Sequence, residues 1–269
     1  MSRLTETFIR VRNENRPAVI GYLTAGDPDE KRSEEIIGSV CRSGLDVLEL
    51  GIPFSDPTAD GPVIQRASQR AIKSGMTLEK GLAMVARLRQ RLDLPIILFS
   101  YYNPIFVFGT KRFVREAESA GADGVLVVDL PHELSDEIMQ YVPQSGKSQS
   151  GQFHFIRLIA PTTGADRRSD ILRRADGFVY IVSRRGVTGS GSIDWDSLAA
   201  SVNEMRSGTA VPLCVGFGIR SPEDAHKIAA FADGIIIGSA FEQRIEDDPN
   251  TAADSAAVFL REIRRVITS

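Results

Sequence analysis

The sequence predicts a (β/α)8 barrel, with extra helices before the first strand and after the second. Three observations carry that prediction. Eight short apolar runs alternate with amphipathic stretches along 269 residues, the chain length such a barrel needs. Runs such as G-V-L-V-V-D and G-I-I-I-G are almost wholly apolar, as strands covered by helices on both faces of a parallel sheet must be. The turn after the first strand reads T-A-G-D-P rather than G-x-G-x-x-G, which leaves an open doubly wound sheet as the second choice.

Taken in order, a helix over Leu4–Asn13 precedes a first strand at Ala18–Tyr22. A helix at Glu30–Arg42 leads to the second strand, Val47–Leu50, and an extra helix follows at Pro62–Lys73. Thr77–Arg91 is helical, Ile96–Ser100 the third strand, Arg112–Ala120 helical and Gly124–Val128 the fourth strand. Ser135–Tyr141 then reads as helix, Phe153–Ile159 as strand and Asp166–Arg174 as helix. The last strands are Phe178–Val182, Leu213–Val215 and Gly234–Ile237, with helices at Trp195–Arg206, Pro222–Phe231 and Ala252–Ile267. Val142–Gln152 is polar and aperiodic, a loop on the N-terminal face and a tolerated insertion. No linker or composition break divides the chain, so residues 1–269 are expected to form one domain.

Composition excludes several classes. A formal net charge of -3 offers no basic face for nucleic acid. No apolar run approaches the roughly 18 residues that span a membrane, and the N-terminus has no apolar signal core. Cys41 and Cys214 lie far apart in apolar contexts, which suits buried free thiols in a reducing, cytoplasmic setting. His132, His154 and His226 are scattered, so no protein-bound metal is expected.

The chemistry centres on Asp46–Ile64, D-V-L-E-L-G-I-P-F-S-D-P-T-A-D-G-P-V-I. Glu49 stands within an apolar strand, where burial raises a carboxyl pKa towards the range that acid–base work needs. Asp60, beside Gly61 and Pro62 on the following loop, is expected to be better solvated and anionic. Strand alternation turns Val47 and Glu49 inward, so both acids can converge at the C-terminal mouth of a barrel. A plainer reading stays open, in which Glu49 pairs with a buried cation and Asp60 caps the helix at Pro62. Glycine-rich segments follow the last three strands: Arg185–Ser192, Gly216–Asp224 and Gly238–Glu242. Their amides, with Ser239 and the Ser221–Pro222 helix start, suit a phosphate cradle. The alternative is that these glycines only make tight turns. Residues 186–192 also suit a lid. Tyr180 has the parity to point inward, or else packs as an ordinary barrel tyrosine.

P-F-S-D-P-T-A-D-G-P, the flanking L-E-L-G, then A-P-T-T, S-R-R-G-V-T-G, G-F-G-I and G-S-A occur in that order. Along essentially the whole chain this closely resembles the tryptophan synthase α subunit family. The resemblance implies a retro-aldol cleavage of indole-3-glycerol phosphate to indole and glyceraldehyde 3-phosphate. It gives Glu49 the part of general acid–base and Asp60 that of indole N–H acceptor and charge stabiliser. It places Tyr22 and Phe99 along the indole pocket, Tyr180 near the substrate and Thr188 on the lid facing Asp60. Gly189, Gly218, Gly238 and Ser239 fall on phosphate-binding positions. No cofactor is expected in this chain. The implied partner is a β subunit carrying pyridoxal phosphate, in an αββα heterotetramer through which indole passes by a tunnel. The loop at Pro53–Pro57 and the segment Asn103–Phe106 match the partner-facing surface. Two departures stand out: Arg185, where a small or hydroxyl residue is usual, and the length of Val142–Gln152. Other readings are a catalytically weak α-like activator of a β partner, a stand-alone indole-releasing lyase, or another phosphate-binding barrel.

Overall fold

A computed structural model describes residues 1–142, 152–183, 194–216 and 218–268. Arg185, Thr188, Gly189, the rest of the expected lid and most of the 142–152 loop lie outside the described residues.

The described strands are β1 (Ala18–Thr24), β2 (Val47–Gly51), β3 (Ile96–Ser100), β4 (Gly124–Val127), β5 (His154–Phe155), β6 (Arg157–Ile159), β7 (Val179–Val182), β8 (Leu213–Gly216) and β9 (Gly234–Ile237). All pair in parallel, in the order β5-β4-β3-β2-β1-β9-β8-β7-β6. The two ends of that order, β5 and β6, are separated in sequence only by Ile156, whose N–H still donates to Val125 O at 2.8 Å. The sheet therefore closes into the predicted barrel. The fifth predicted strand is present as two segments, each paired with a different neighbour.

The helices are α1 (Arg3–Asn13), α2 (Glu30–Arg42), α3 (Pro62–Lys73), α4 (Leu78–Arg89), α5 (Tyr102–Phe108), α6 (Thr110–Ala120), α7 (Asp136–Met139), α8 (Ala165–Arg173), α9 (Trp195–Arg206), α10 (Pro222–Ala229), α11 (Ser239–Asp247) and α12 (Ala252–Ile267). Local chemistry sets their ends. Asp29, Thr77 and Ser221 each cap a helix by accepting an N–H of its first turn. Two helices went unread in the sequence, α5 and α11. Each starts within two residues of a strand end, at Tyr102 after Ser100 and at Ser239 after Ile237.

Alternation splits the core in two. Outward residues such as Leu48, Leu50, Leu98 and Val125 pack under the helices. Inward residues such as Ile20, Val47, Ile97, Phe178 and Ile236 fill the barrel. Leu4, Phe8 and Val11 of α1 join that inner cluster and stop the barrel's N-terminal end. Polar inward groups are thereby left to the C-terminal mouth.

Candidate active site

Glu49 faces inward from β2, with Tyr22 of β1 and Ile97 of β3 as its register neighbours. It is wholly buried, and neither carboxylate oxygen has a hydrogen-bond partner among the described residues. Among the described residues no cation pairs with it, which counts against the plainer reading of this residue. Burial without compensation pushes its pKa up to about 8. The Tyr180 phenol and the Cys214 thiol, both buried in the barrel, feel its charge.

Asp60 departs from expectation. It is 3% exposed, not well solvated. Burial raises its pKa to about 6, against the lowering effect of one hydrogen bond from Tyr101. That bond runs from the Tyr101 hydroxyl to Asp60 Oδ2 at 2.9 Å. Nor does Asp60 cap α3. Gly61 holds the cap position, without a side-chain cap hydrogen bond, and Pro62 opens the helix. The two acids still differ in the sense that chemistry needs. At neutral pH Glu49 retains its proton while Asp60 is mostly anionic.

Tyr101 is the site residue that sequence reasoning missed. Its ring packs against Phe54 with centroids 5.1 Å apart. Its hydroxyl accepts the Ala59 N–H at 3.0 Å while donating to Asp60. One side chain thus ties the Phe54–Asp60 loop to the end of β3. The signal was present: continuing the inward parity of Ile97 and Phe99 reaches Tyr101.

Tyr22 and Phe99 stand in the inner cluster in edge-to-face contact, with centroids 5.2 Å apart and planes at 85°. Tyr180 is also inward and 5% exposed, its phenol pushed well above the ordinary range by burial and by Glu49 and Asp60. Glycine makes room for these rings. A side chain at Gly51 would overlap the Tyr22 hydroxyl, and one at Gly216 the Tyr180 hydroxyl.

The described part of the expected anion cradle lies on adjacent strand ends. The β8–β9 register pairs Cys214 with Gly234, and Gly218 and Gly238 each lie four residues further on. Gly218 adopts a φ of 83°, and Gly238 caps α11, whose first residue is Ser239. The first N–H groups of a helix have no acceptor within it and carry its positive end. The mouth therefore combines a proton-bearing acid, an ionised acid, aromatic walls and backbone donors. That set can bind a planar aromatic ring with an anionic tail and move a proton at the ring. Among the described residues, no cluster of three or more His, Cys, Asp or Glu is arranged to hold a metal ion. Cys41 and Cys214 are buried free thiols.

Comparison with known proteins agrees with this geometry. The family model for the tryptophan synthase alpha chain matches residues 8–267. The tryptophan synthase alpha chain of Desulfatibacillum aliphaticivorans is 51% identical over 248 residues, covering 92% of this chain and 91% of the relative. That of Geobacter sulfurreducens is 43% identical over 270 residues, covering 99% of each. Among solved structures, tryptophan synthase subunit alpha from Legionella pneumophila superposes with a TM-score of 0.88 at 34% identity, covering 99% of this chain and 98% of that one. The chain belongs to the tryptophan synthase alpha chain family.

Proposed function

We infer that Glu49 and Asp60 are the reacting carboxyls of this chain's lyase activity, the cleavage of indole-3-glycerol phosphate to indole and glyceraldehyde 3-phosphate. The observation that carries the inference is the isolated, proton-bearing carboxyl of Glu49 in the barrel mouth. Protonation of the indole carbon that bears the side chain makes the ring an electron sink. Asp60, ionised and steadied by Tyr101, accepts the indole N–H and stabilises the positive charge. Glu49, now deprotonated, takes the proton of the side-chain hydroxyl. The carbon–carbon electron pair returns to the ring, giving neutral indole, and the former carbinol carbon becomes the aldehyde. One carboxyl serves both proton transfers because its pKa lies near working pH.

Tyr22, Phe99 and Tyr180 line the ring's side of the pocket. Gly218, Gly238 and Ser239, with Gly189, hold the phosphate, and Thr188 closes over Asp60. Binding of the remote phosphate is spent on orienting the reacting carbon. The chain works as one domain in the cytoplasm and needs no cofactor of its own. Its partner is a β subunit bearing pyridoxal phosphate, in an αββα assembly that receives the indole. Phe106 and Val107, adjacent on α5 and exposed at 65% and 77%, support that docking face, since neighbouring exposed apolar side chains mark interaction surfaces. The test is turnover of indole-3-glycerol phosphate by the chain alone and with a cognate β subunit. Cleavage that rises with the β subunit supports the reading; no cleavage in either case defeats it.

A further inference from the structure

A second buried carboxyl lies behind the phosphate turn, and the lyase steps above do not use it. Glu242, in the first turn of α11, is wholly buried. Its Oε1 accepts the Thr24 N–H, at the end of β1, at 2.6 Å. Its Oε2 receives no donor among the described residues, and the Asp27 carboxyl is near enough to make ionisation of Glu242 harder. Asp27 is also wholly buried, and Arg70 of α3 donates to both its oxygens at 2.7 Å. Arg70 reaches on to Glu246, one turn further along α11, at 3.1 Å, and Arg66 clasps Glu246 from outside.

A fully buried carboxyl with one backbone donor, an unpartnered second oxygen and another carboxylate nearby is held in its neutral form. Arg70 lies on the Asp27 side, so the proton belongs to Glu242. Burial and the Asp27 charge act in the same direction on its acidity. Among the described residues, the groups that act on Glu242 are Thr24 and the Tyr22 phenol from β1, Asp27 from the loop after it and Arg70 from α3, which is itself paired with Asp27 and Glu246. None of them is a free cation that would favour an ionised Glu242.

We propose that Glu242 is a positioning residue for the phosphate end of the substrate, acting as a neutral acid that bridges α11 to Thr24 and Asp27. The bridge fixes the Gly238–Ser239 turn against β1. Its neutrality keeps a negative charge away from the amides that take the phosphate. The proposal rests on the reading that Gly238 and Ser239 hold that phosphate. Glutamine can replace the neutral acid atom for atom, its carbonyl accepting from Thr24 and its N–H donating to Asp27.

Three variants of the full chain test it, E242Q, E242A and S239D. By linkage, an acid that keeps its proton on folding loses stability as pH rises above its unfolded pKa, and an amide does not. The Tm of the wild type is therefore expected to fall relative to E242Q steadily between pH 5 and pH 9. A Tm gap independent of pH overturns the neutral form of Glu242. At neutral pH E242Q is expected to keep the wild-type KM and kcat for indole-3-glycerol phosphate. E242A is expected to raise KM about tenfold with kcat little changed, the scale of one misplaced charge contact. If E242Q raises KM as much as E242A, neutrality is not the operative property and the proposal fails. S239D separates this assignment from the one beneath it. If S239D leaves KM unchanged, the phosphate reading fails. If S239D raises KM and E242A does not, only the Glu242 assignment falls. Should E242A not fold, the pH series and the KM of E242Q decide the matter.

Discussion

Asp46 and Glu49 lie three positions apart, at the foot of β2 and within it, and the barrel treats them in opposite ways. Both are buried. Asp46 accepts from Arg16 at 2.7 and 2.9 Å, from Arg10 at 2.8 Å, from Arg264 at 3.2 Å and from the Val19 N–H at 2.9 Å. Burial alone would raise its pKa, but these partners, Arg16 foremost, bring it below the ordinary value. Asp123, before β4, is gripped likewise by Arg3, Arg89 and the Ile96 N–H. At the other end of the barrel, among the described residues, Glu49 has no hydrogen-bond partner and Asp60 has one side-chain donor. The N-terminal end spends its arginines on compensating carboxylates. The mouth leaves its carboxyls short of partners, and those are the ones that can exchange protons at neutral pH. The division matches the general separation in such barrels between a stabilising face and a reactive one.

Substitutions at the two ends should fail in different ways. The largest effect is expected for Glu49→Gln, with kcat reduced by about 10³-fold or more, since an amide cannot move the ring proton. The same change should stabilise the fold at high pH. A raised folded pKa means stability present at low pH and lost as pH rises towards about 8, and the amide is spared that loss. Denaturation across pH 5 to 9 checks the sign, and a variant less stable than wild type at pH 9 would contradict it. Asp46→Ala should cost about 3–5 kcal/mol of stability, because it strands the buried Arg16 guanidinium, with kcat of the folded fraction unchanged. In wild type the lowered pKa of Asp46 means stability held above the ordinary aspartate range and lost as pH falls through it. Asp60→Asn should lower kcat about 10²-fold with little change in stability, as expected for a lost charge stabiliser. A variant near wild-type activity would remove Asp60 from the mechanism. The smallest effect belongs to Tyr101→Phe. Losing the donor that lowers the pKa of Asp60 should move the acid limb of the rate profile to higher pH, with kcat at the optimum little altered.

Much of this was legible in the residues. The apolar company of Glu49 announced its burial, and strand parity aimed it inward with Tyr180. The Ser221–Pro222 helix start appears as read, with the Ser221 side chain accepting the Asp224 N–H. What the sequence hid were consequences of contact between distant segments. Asp60, among Gly and Pro, looks solvated until Tyr101 and Phe54 close over it. Glu242, in the polar run G-S-A-F-E-Q-R-I-E, looks like a surface residue until Thr24 and Asp27 meet it across the helix. The split of the fifth strand at Ile156 depends on two different neighbours, which no local pattern records.

The most direct measurement is kcat/KM for indole-3-glycerol phosphate as a function of pH, in wild type and Tyr101→Phe. Activity should need Asp60 ionised and Glu49 protonated, giving a bell with an acid limb near about 6 and an alkaline limb near about 8, and only the acid limb should move in the variant. Activity that holds level or climbs through pH 8 to 9 would mean that Glu49 enters the reaction without its proton, and would contradict the account.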